Sequence, residues 1–399
     1  MPPSASRCLA YLLLLVPPLV VSFYLLASFP PPPGPLPVPS YAGLASLPPD
    51  SRARQIYSED WVEGGEGGVC RLTNGALAVP QTRYWLAGPE NGKKIVLIHG
   101  LSIPALIWRP LIPPLVAAGH RVLLYDLYGR GYSAAPIGAA YDAQLYVTQL
   151  ALLLQHVGWQ KTRVAGVSMG GAIAGAFVTA FPDLVERDVV LVASAGLVEE
   201  ASDLPRTAKV MSSPVIQALA ANPLINAYLR RLASKTDHDA GAGEPQEAPL
   251  RELVRLQSAH LPGFNRAVSS SLRAGPVTGM RWAFESEGWV GRRVLILHGT
   301  TDYTVPSAHS ARIGALIEGA SRNRSSSGEV RVDLLSSIPL PTPIPTPSSH
   351  RQAQKHPPPP TPKDGEQRVR VTLVADAGHA LTWTHTKEVV EVVVKFLKG

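Results

Sequence analysis

The chain has 399 residues, 45% of them apolar and 17% charged, with two cysteines and a formal net charge of +7. This is enough apolar material for one large domain or two modest ones, and it excludes both a wholly disordered chain and a disulfide scaffold. Cys8 and Cys70 are too few for a cysteine metal site. The positive charge is scattered as single residues and short pairs such as Arg292-Arg293, without aromatic interleaving or a basic helix, so nucleic acid is not an expected partner.

Residues 8–29 read CLAYLLLLVPPLVVSFYLLASF, 22 positions without a charge. Their length predicts an uncleaved single-pass membrane anchor over residues 1–29 in preference to a cleaved signal, with Pro17-Pro18 kinking the span. Weak charge asymmetry would leave the N-terminus cytosolic and the rest lumenal or external, or secreted if the segment were cleaved. Nine prolines between 30 and 49 mark an extended spacer, so residues 30–60 read as a linker. From about residue 82, short β-branched runs alternate with helical stretches, the pattern of parallel strands joined by crossovers. Strands are expected at 82–87, 94–99, 121–126, 163–167, 188–193, 293–298 and 369–375. Helices are expected near 105–118, 142–157, 170–181, 306–319 and 384–398. Strand-like runs stop between 197 and 290, which reads as a helical insertion over the sheet's edge. The implied organisation is a core in two parts, 61–196 and 291–399, with the cap 197–290 between them. Residues 336–367, carrying the second proline-rich run, read as an unstructured surface loop.

The chemistry concentrates at strand ends. Gly166-Val167-Ser168-Met169-Gly170 closes a short strand and leads into a helix of small residues. Such a sharp turn exposes the serine hydroxyl above a helix N-terminus, whose free amides favour a developing negative charge. A serine nucleophile needs a base, and the base an orienting acid. Of eleven histidines, His379 in Asp376-Ala377-Gly378-His379-Ala380 follows the last strand and fits the base. His99 and His298, which end strands before glycine, read as structural. For the acid, Asp302 follows the strand at 293–298, and the chain order Ser, Asp, His selects it over Asp126. Asp126 reads as a structural residue holding the loop DLYGRGYS (126–133). The turn His99-Gly100-Leu101-Ser102 could aim the Leu101 N–H at the same point as the Met169 N–H, forming a two-donor oxyanion hole.

Read in order, HGLSIPALIW (99–108), DLYGRGYS (126–133), GVSMGG (166–171), HGTTD (298–302) and DAGH (376–379) resemble the α/β-hydrolase superfamily, specifically its capped esterases, lipases and monoacylglycerol-lipase-like serine hydrolases. The resemblance covers about residues 82–399. It implies an α/β-hydrolase fold, a mostly parallel central sheet flanked by helices with an inserted helical cap. Ser168 would be the nucleophile, His379 the base, Asp302 its acid, and Leu101 and Met169 the oxyanion donors. Serine at the elbow separates the chain from epoxide hydrolases and haloalkane dehalogenases, which place aspartate there. The expected function is a membrane-tethered hydrolase of a carboxylic ester, small or lipid-like, without metal or organic cofactor. Carbon–carbon bond hydrolysis on the same three residues, or ligand binding without catalysis, are the alternatives.

Overall fold

A computed structural model of the chain describes residues 16–22, 36–71, 77–78, 80–198, 245–326 and 368–398. It divides into two compact units, residues 1–38 with 72–79, and residues 39–71 with 80–399. The first holds a helix over residues 16–22 and a parallel pair of Leu36–Pro37 with Leu77–Ala78. Among the described residues no helix is long and apolar enough to cross a membrane, which overturns the expected single-pass anchor and the localisation built on it.

The second unit is built on an eight-stranded sheet. Its strands are β1 (Glu66–Cys70), β2 (Thr82–Ala87), β3 (Lys93–Ile98), β4 (His120–Tyr125), β5 (Thr162–Val167), β6 (Val185–Val192), β7 (Arg293–Gly299) and β8 (Val369–Val374). The spatial order is β8-β7-β6-β5-β3-β4-β2-β1, with β1 and β2 antiparallel to their neighbours and every other pairing parallel. All seven expected strands are present. β1 was not expected, because Glu66-Gly67-Gly68-Val69-Cys70 has neither alternation nor β-branched density; its pairing with β2 creates it. Burial on both faces explains the continuous apolar runs of β4 and β7, every residue of which is buried.

Among the described residues of this unit, the α-helices of six or more residues are α1 (Ile112–Ala117), α2 (Ala143–His156), α3 (Met169–Ala180), α4 (Ala248–His260), α5 (Phe264–Ala274), α6 (Ala308–Ser326) and α7 (Thr386–Lys398). The stretch expected as one helix near 105–118 begins as a 3₁₀ turn, Ala105–Leu111, because Pro110 cannot donate within it. Asp142 caps α2 by accepting from the Leu145 amide at 2.9 Å. Helices α4 and α5 fall within the 197–290 stretch expected to form a cap; residues 199–244 of that stretch, and the expected loop 336–367, lie outside the described residues.

The stretch expected to be a linker differs most. Leu44 and Tyr57 are fully buried, Ser40–Tyr41 pairs with Ala135–Pro136, and Tyr57 joins Trp61, Trp85 and Tyr132 in a cluster whose ring contacts span 5.3–6.2 Å between centroids. Proline density hid the aromatic anchors, whose tilted and edge-on contacts favour docking over solvation.

The N-terminal edge of the sheet is held by charge. Asp188 on β6 is 5% exposed at its side chain and meets Arg163 of β5 at 3.1 Å and Arg293 of β7 at 2.8 Å. Removing one member of a buried ion set costs about 3–5 kcal/mol, because charge is left in low dielectric. Asp188→Ala should therefore lower stability by about 3 kcal/mol, read as a reduced urea midpoint at unchanged m. The site lies at the opposite edge, so the KM of the folded variant should not move.

Candidate active site

The sheet reverses its order at β3 and β5, so the loops after these strands part and leave a crevice at their C-terminal ends. Ser168 follows β5 and the 99–102 turn follows β3. Ser168 adopts φ 56° and ψ −123°, a conformation that costs a non-glycine residue about 1–3 kcal/mol. Gly166 and Gly170 make it possible. A Cβ on Gly166 would lie 2.1 Å from the Gly170 carbonyl oxygen, and one on Gly170 would lie 2.2 Å from that of Ile98. The Ser168 amide donates to Val192 O at 2.9 Å, leaving the hydroxyl to project from the edge.

His379 and Asp302 reach the same point from the two neighbouring loops. β7 and β8 run in parallel register from Val294↔Val369 to Gly299↔Val374, so both loops leave the sheet together. They interlock: the Thr301 amide donates to Ala377 O at 3.0 Å, and the Asp376 amide to Thr300 Oγ1 at 2.9 Å. His379 Nε2 lies 2.9 Å from Ser168 Oγ, and His379 Nδ1 lies 2.8 Å from Asp302 Oδ2. The Asp302 side chain is 0% exposed and His379 26%. Asp302 Oδ1 accepts from the Thr304 and Val305 amides at 2.8 and 3.0 Å.

Burial opposes the charge of the Asp302 carboxyl, but hydrogen bonds from His298 and His379 outweigh it and hold the group well below the usual carboxylate range. His298 was expected to be purely structural. Its Nε2 lies 2.9 Å from Val305 O and 3.2 Å from Asp302 Oδ2, with Nδ1 buried and unpartnered among the described residues. The tautomer carrying its proton on Nε2 satisfies both oxygens and buries no idle donor. The four-residue separation of His298 and Asp302 around one turn was the available signal.

Asp126 sits elsewhere. Its carboxylate accepts from Tyr57 Oη at 2.9 Å, the Ala105 amide at 3.0 Å and the Tyr132 amide at 2.8 Å. Burial pushes it up to about 7 against these three hydrogen bonds. It secures the 126–133 loop, and among the described residues none of its hydrogen-bond partners is a histidine. Gly131 belongs to that arrangement, since its φ is 53° and a Cβ there would strike Asp126 Oδ2 at 2.1 Å.

Gly100 lies against Ser168: a Cβ on it would be 3.2 Å from the Ser168 Cβ. His99 Nδ1 donates to Gly100 O at 2.9 Å, while His99 Nε2 accepts from the Leu127 amide at 2.8 Å. Burial and the nearby Arg130 charge push His99 down to about 3, so the ring is neutral. Because a trans peptide opposes its C=O and N–H, fixing Gly100 O also fixes the direction of the Leu101 N–H. Met169 opens α3, where the first amides have no intrahelical acceptor. All five residues expected at the site are thus brought to one edge of the sheet. A cavity of about 190 Å³ opens beside Leu101, Ser168 and His379, walled by Ile103, Ile107, Val198, Leu272, Val277 and Val305. Among the described residues no group of three or more His, Cys, Asp or Glu side chains is placed to hold a metal ion.

Residues 93–329 match the family model of the alpha/beta hydrolase fold. The chain belongs to that family and is a hydrolase of the alpha/beta fold. Its sequence is 30% identical over 248 residues to a 2-hydroxy-6-oxo-2,4-heptadienoate hydrolase of Pseudomonas putida, covering 57% of this chain and 78% of the relative. A 2-hydroxymuconate semialdehyde hydrolase of a Pseudomonas species is 28% identical over 224 residues, covering 54% of this chain and 72% of its own. Among solved structures, a carboxylesterase from Bacillus subtilis superposes with a TM-score of 0.56 at 15% identity, covering 87% of this chain and 94% of that one. Likeness at this identity speaks for the fold alone.

The Asp302 geometry has a thermodynamic consequence. A carboxyl held below its unfolded value stabilises the folded state above the unfolded pKa of about 3.9, and that contribution is lost as pH falls through the folded value. Wild-type Tm should therefore fall as the pH drops below about 4. Asp302→Asn, lacking that proton uptake, should show a shallower acid limb, measured by calorimetry across pH 2.5–6, a window chosen to bracket roughly that pKa.

Proposed function

We propose that this chain is a serine hydrolase that cleaves an uncharged, short-chain carboxylic ester through an acyl-enzyme. The observation that carries the reading is the unbroken line Ser168 Oγ, His379 Nε2, His379 Nδ1, Asp302 Oδ2, with contacts of 2.9 and 2.8 Å. In this reading His379 takes the Ser168 proton as the hydroxyl attacks the ester carbonyl, and returns it to the leaving alcohol. Asp302 stabilises the imidazolium formed between those steps. The negative oxygen of the tetrahedral intermediate is held by the Leu101 and Met169 N–H groups. Water then repeats the sequence to release the acid. Helices α4 and α5 are proposed as part of a cap over residues 197–290, because Leu272 of α5 walls the cavity.

The relatives favour a second reading, carbon–carbon hydrolysis with the same three residues, since a 2-hydroxy-6-oxo dienoate offers no ester to cleave. Such a substrate is also a carboxylate. Apart from His379, the described residues lining the cavity carry no group that could be cationic, and most are aliphatic. Among these described residues an anion would find no cationic partner other than His379, at considerable cost, which supports the neutral ester. The volume supports a short acyl group, because a cavity of about 150 Å³ holds one benzene.

On 4-nitrophenyl esters from acetate to laurate, turnover should peak at or below about six acyl carbons. Ser168→Ala should lose at least about 10³-fold in kcat and all labelling by a fluorophosphonate. Equal labelling of both proteins would remove Ser168 from the chemistry. Faster turnover of a dienoate keto acid than of any ester would favour the second reading.

A further inference from the structure

Arg130 is 0% exposed, and every hydrogen bond it makes among the described residues is to a neutral oxygen. Its Nε donates to Leu101 O at 2.8 Å. One terminal nitrogen donates to Tyr128 O at 2.9 Å and to Tyr146 Oη, and the other to Ser271 Oγ at 3.0 Å and Ala267 O at 3.5 Å. A buried cation without a carboxylate is costly to keep, so its fixed fork of donors is notable for where it points. It joins four elements: the 126–133 loop, the turn beside Ser168, helix α2 through Tyr146, and helix α5.

The same turn is gripped at three successive carbonyls. His99 Nδ1 holds Gly100 O at 2.9 Å, Arg130 holds Leu101 O at 2.8 Å, and Gln257 Nε2 of α4 reaches Ser102 O at 3.4 Å. Gln257 Oε1 in turn accepts from the Gly131 amide at 2.7 Å. With the carbonyls drawn toward this buried polar layer, the amides opposed to them across each trans peptide turn the other way. Arg130 is the one charged member and makes the shortest of the three contacts. It also faces neutral His99, whose Nδ1 proton fixes the Gly100–Leu101 peptide. Ser271, its partner on α5, directly precedes the cavity residue Leu272.

We propose that Arg130 is a positioning residue of the oxyanion turn, holding Leu101 from behind and tying that turn to helix α5. This rests on the ester-hydrolase reading above. The residue touches no reacting atom; its bond to Leu101 O fixes the Leu101–Ser102 peptide, the neighbour of the Gly100–Leu101 peptide that His99 holds, and so steadies the turn in which the Leu101 N–H must be aimed before charge develops on the substrate. Its loss should therefore fall on the transition state and spare ground-state binding in the aliphatic cavity.

The test compares wild type, Ser168→Ala, Arg130→Gln and Arg130→Lys on a short-chain 4-nitrophenyl ester, with circular dichroism and Tm establishing that each is folded. A trifluoromethyl ketone, which forms a tetrahedral oxyanion on a serine, provides the second readout. Folded Arg130→Gln should lose about 10²-fold in kcat with KM within about twofold, and bind the ketone more weakly by a factor matching the loss in kcat/KM. Arg130→Lys, which keeps a donor for Leu101 O but lacks the planar fork, should recover part of both. Wild-type kcat in folded Arg130→Gln, or a rise in KM alone, would overturn the proposal. If Arg130→Gln does not fold, wild-type kcat and ketone affinity in Arg130→Lys overturn it, and a parallel loss of both supports it. Turnover persisting in Ser168→Ala overturns the ester-hydrolase reading and this inference together, an outcome distinct from a silent Ser168→Ala beside a fully active Arg130→Gln.

Discussion

One residue held at φ 56° organises the C-terminal edge of this sheet. A serine in that conformation relaxes unless its surroundings over-determine it. Here β5 fixes the backbone before it, α3 the backbone after it, and Val192 O holds its amide. Space for the turn comes from Gly166 and Gly170, whose hydrogens lie where any side chain would meet a carbonyl. The hydroxyl is consequently presented at the one place where the sheet order reverses and neighbouring loops diverge. Everything else at the site is arranged around a point that this strain defines.

Two buried aspartates show how one side-chain type serves opposite ends. Asp302 is met by two histidines and two amides, so burial is outweighed and the carboxylate persists facing His379. Asp126 receives a tyrosine hydroxyl and two amides, and burial prevails, which suits a residue that pins a loop. The difference lies in the partners each carboxyl meets. Those partners come from distant parts of the chain: Tyr57 from the stretch expected to be a spacer, His379 from beyond β8.

The polar layer behind the 99–102 turn extends the same logic outward. His99, Arg130 and Gln257 belong to a strand end, a loop and a helix, yet they meet on three consecutive carbonyls. In the proposed reaction, charge appears on the other side of those peptides. Donors already oriented need not reorganise as it does, and this is where preorganised amides gain over water.

Much of this was legible in the chain because it is local. The run TRVAGV-Ser168-MGG carries its own strand, turn and helix start, and the order of five motifs along the sequence identifies the architecture, since neighbouring residues alone fix such patterns. Other readings failed where local composition misled. The apolar run at 8–29 suggested a span, but among the described residues no helix is long and apolar enough to cross a membrane, and proline density between 30 and 60 concealed Leu44 and Tyr57, which pack into the core. Arg130 and Gln257 left no trace at all, because their contacts with the turn cross 29 and 155 residues. The sequence by itself thus determined seven of the sheet's eight strands, the elbow and the shortlist of polar residues. Only the tertiary structure decided which aspartate faces His379, what holds the turn beside Ser168, and which aliphatic side chains among the described residues wall the cavity. Those are matters of through-space distance and shared burial, and a chain sets them only once parallel strands bring its separated loops to one edge.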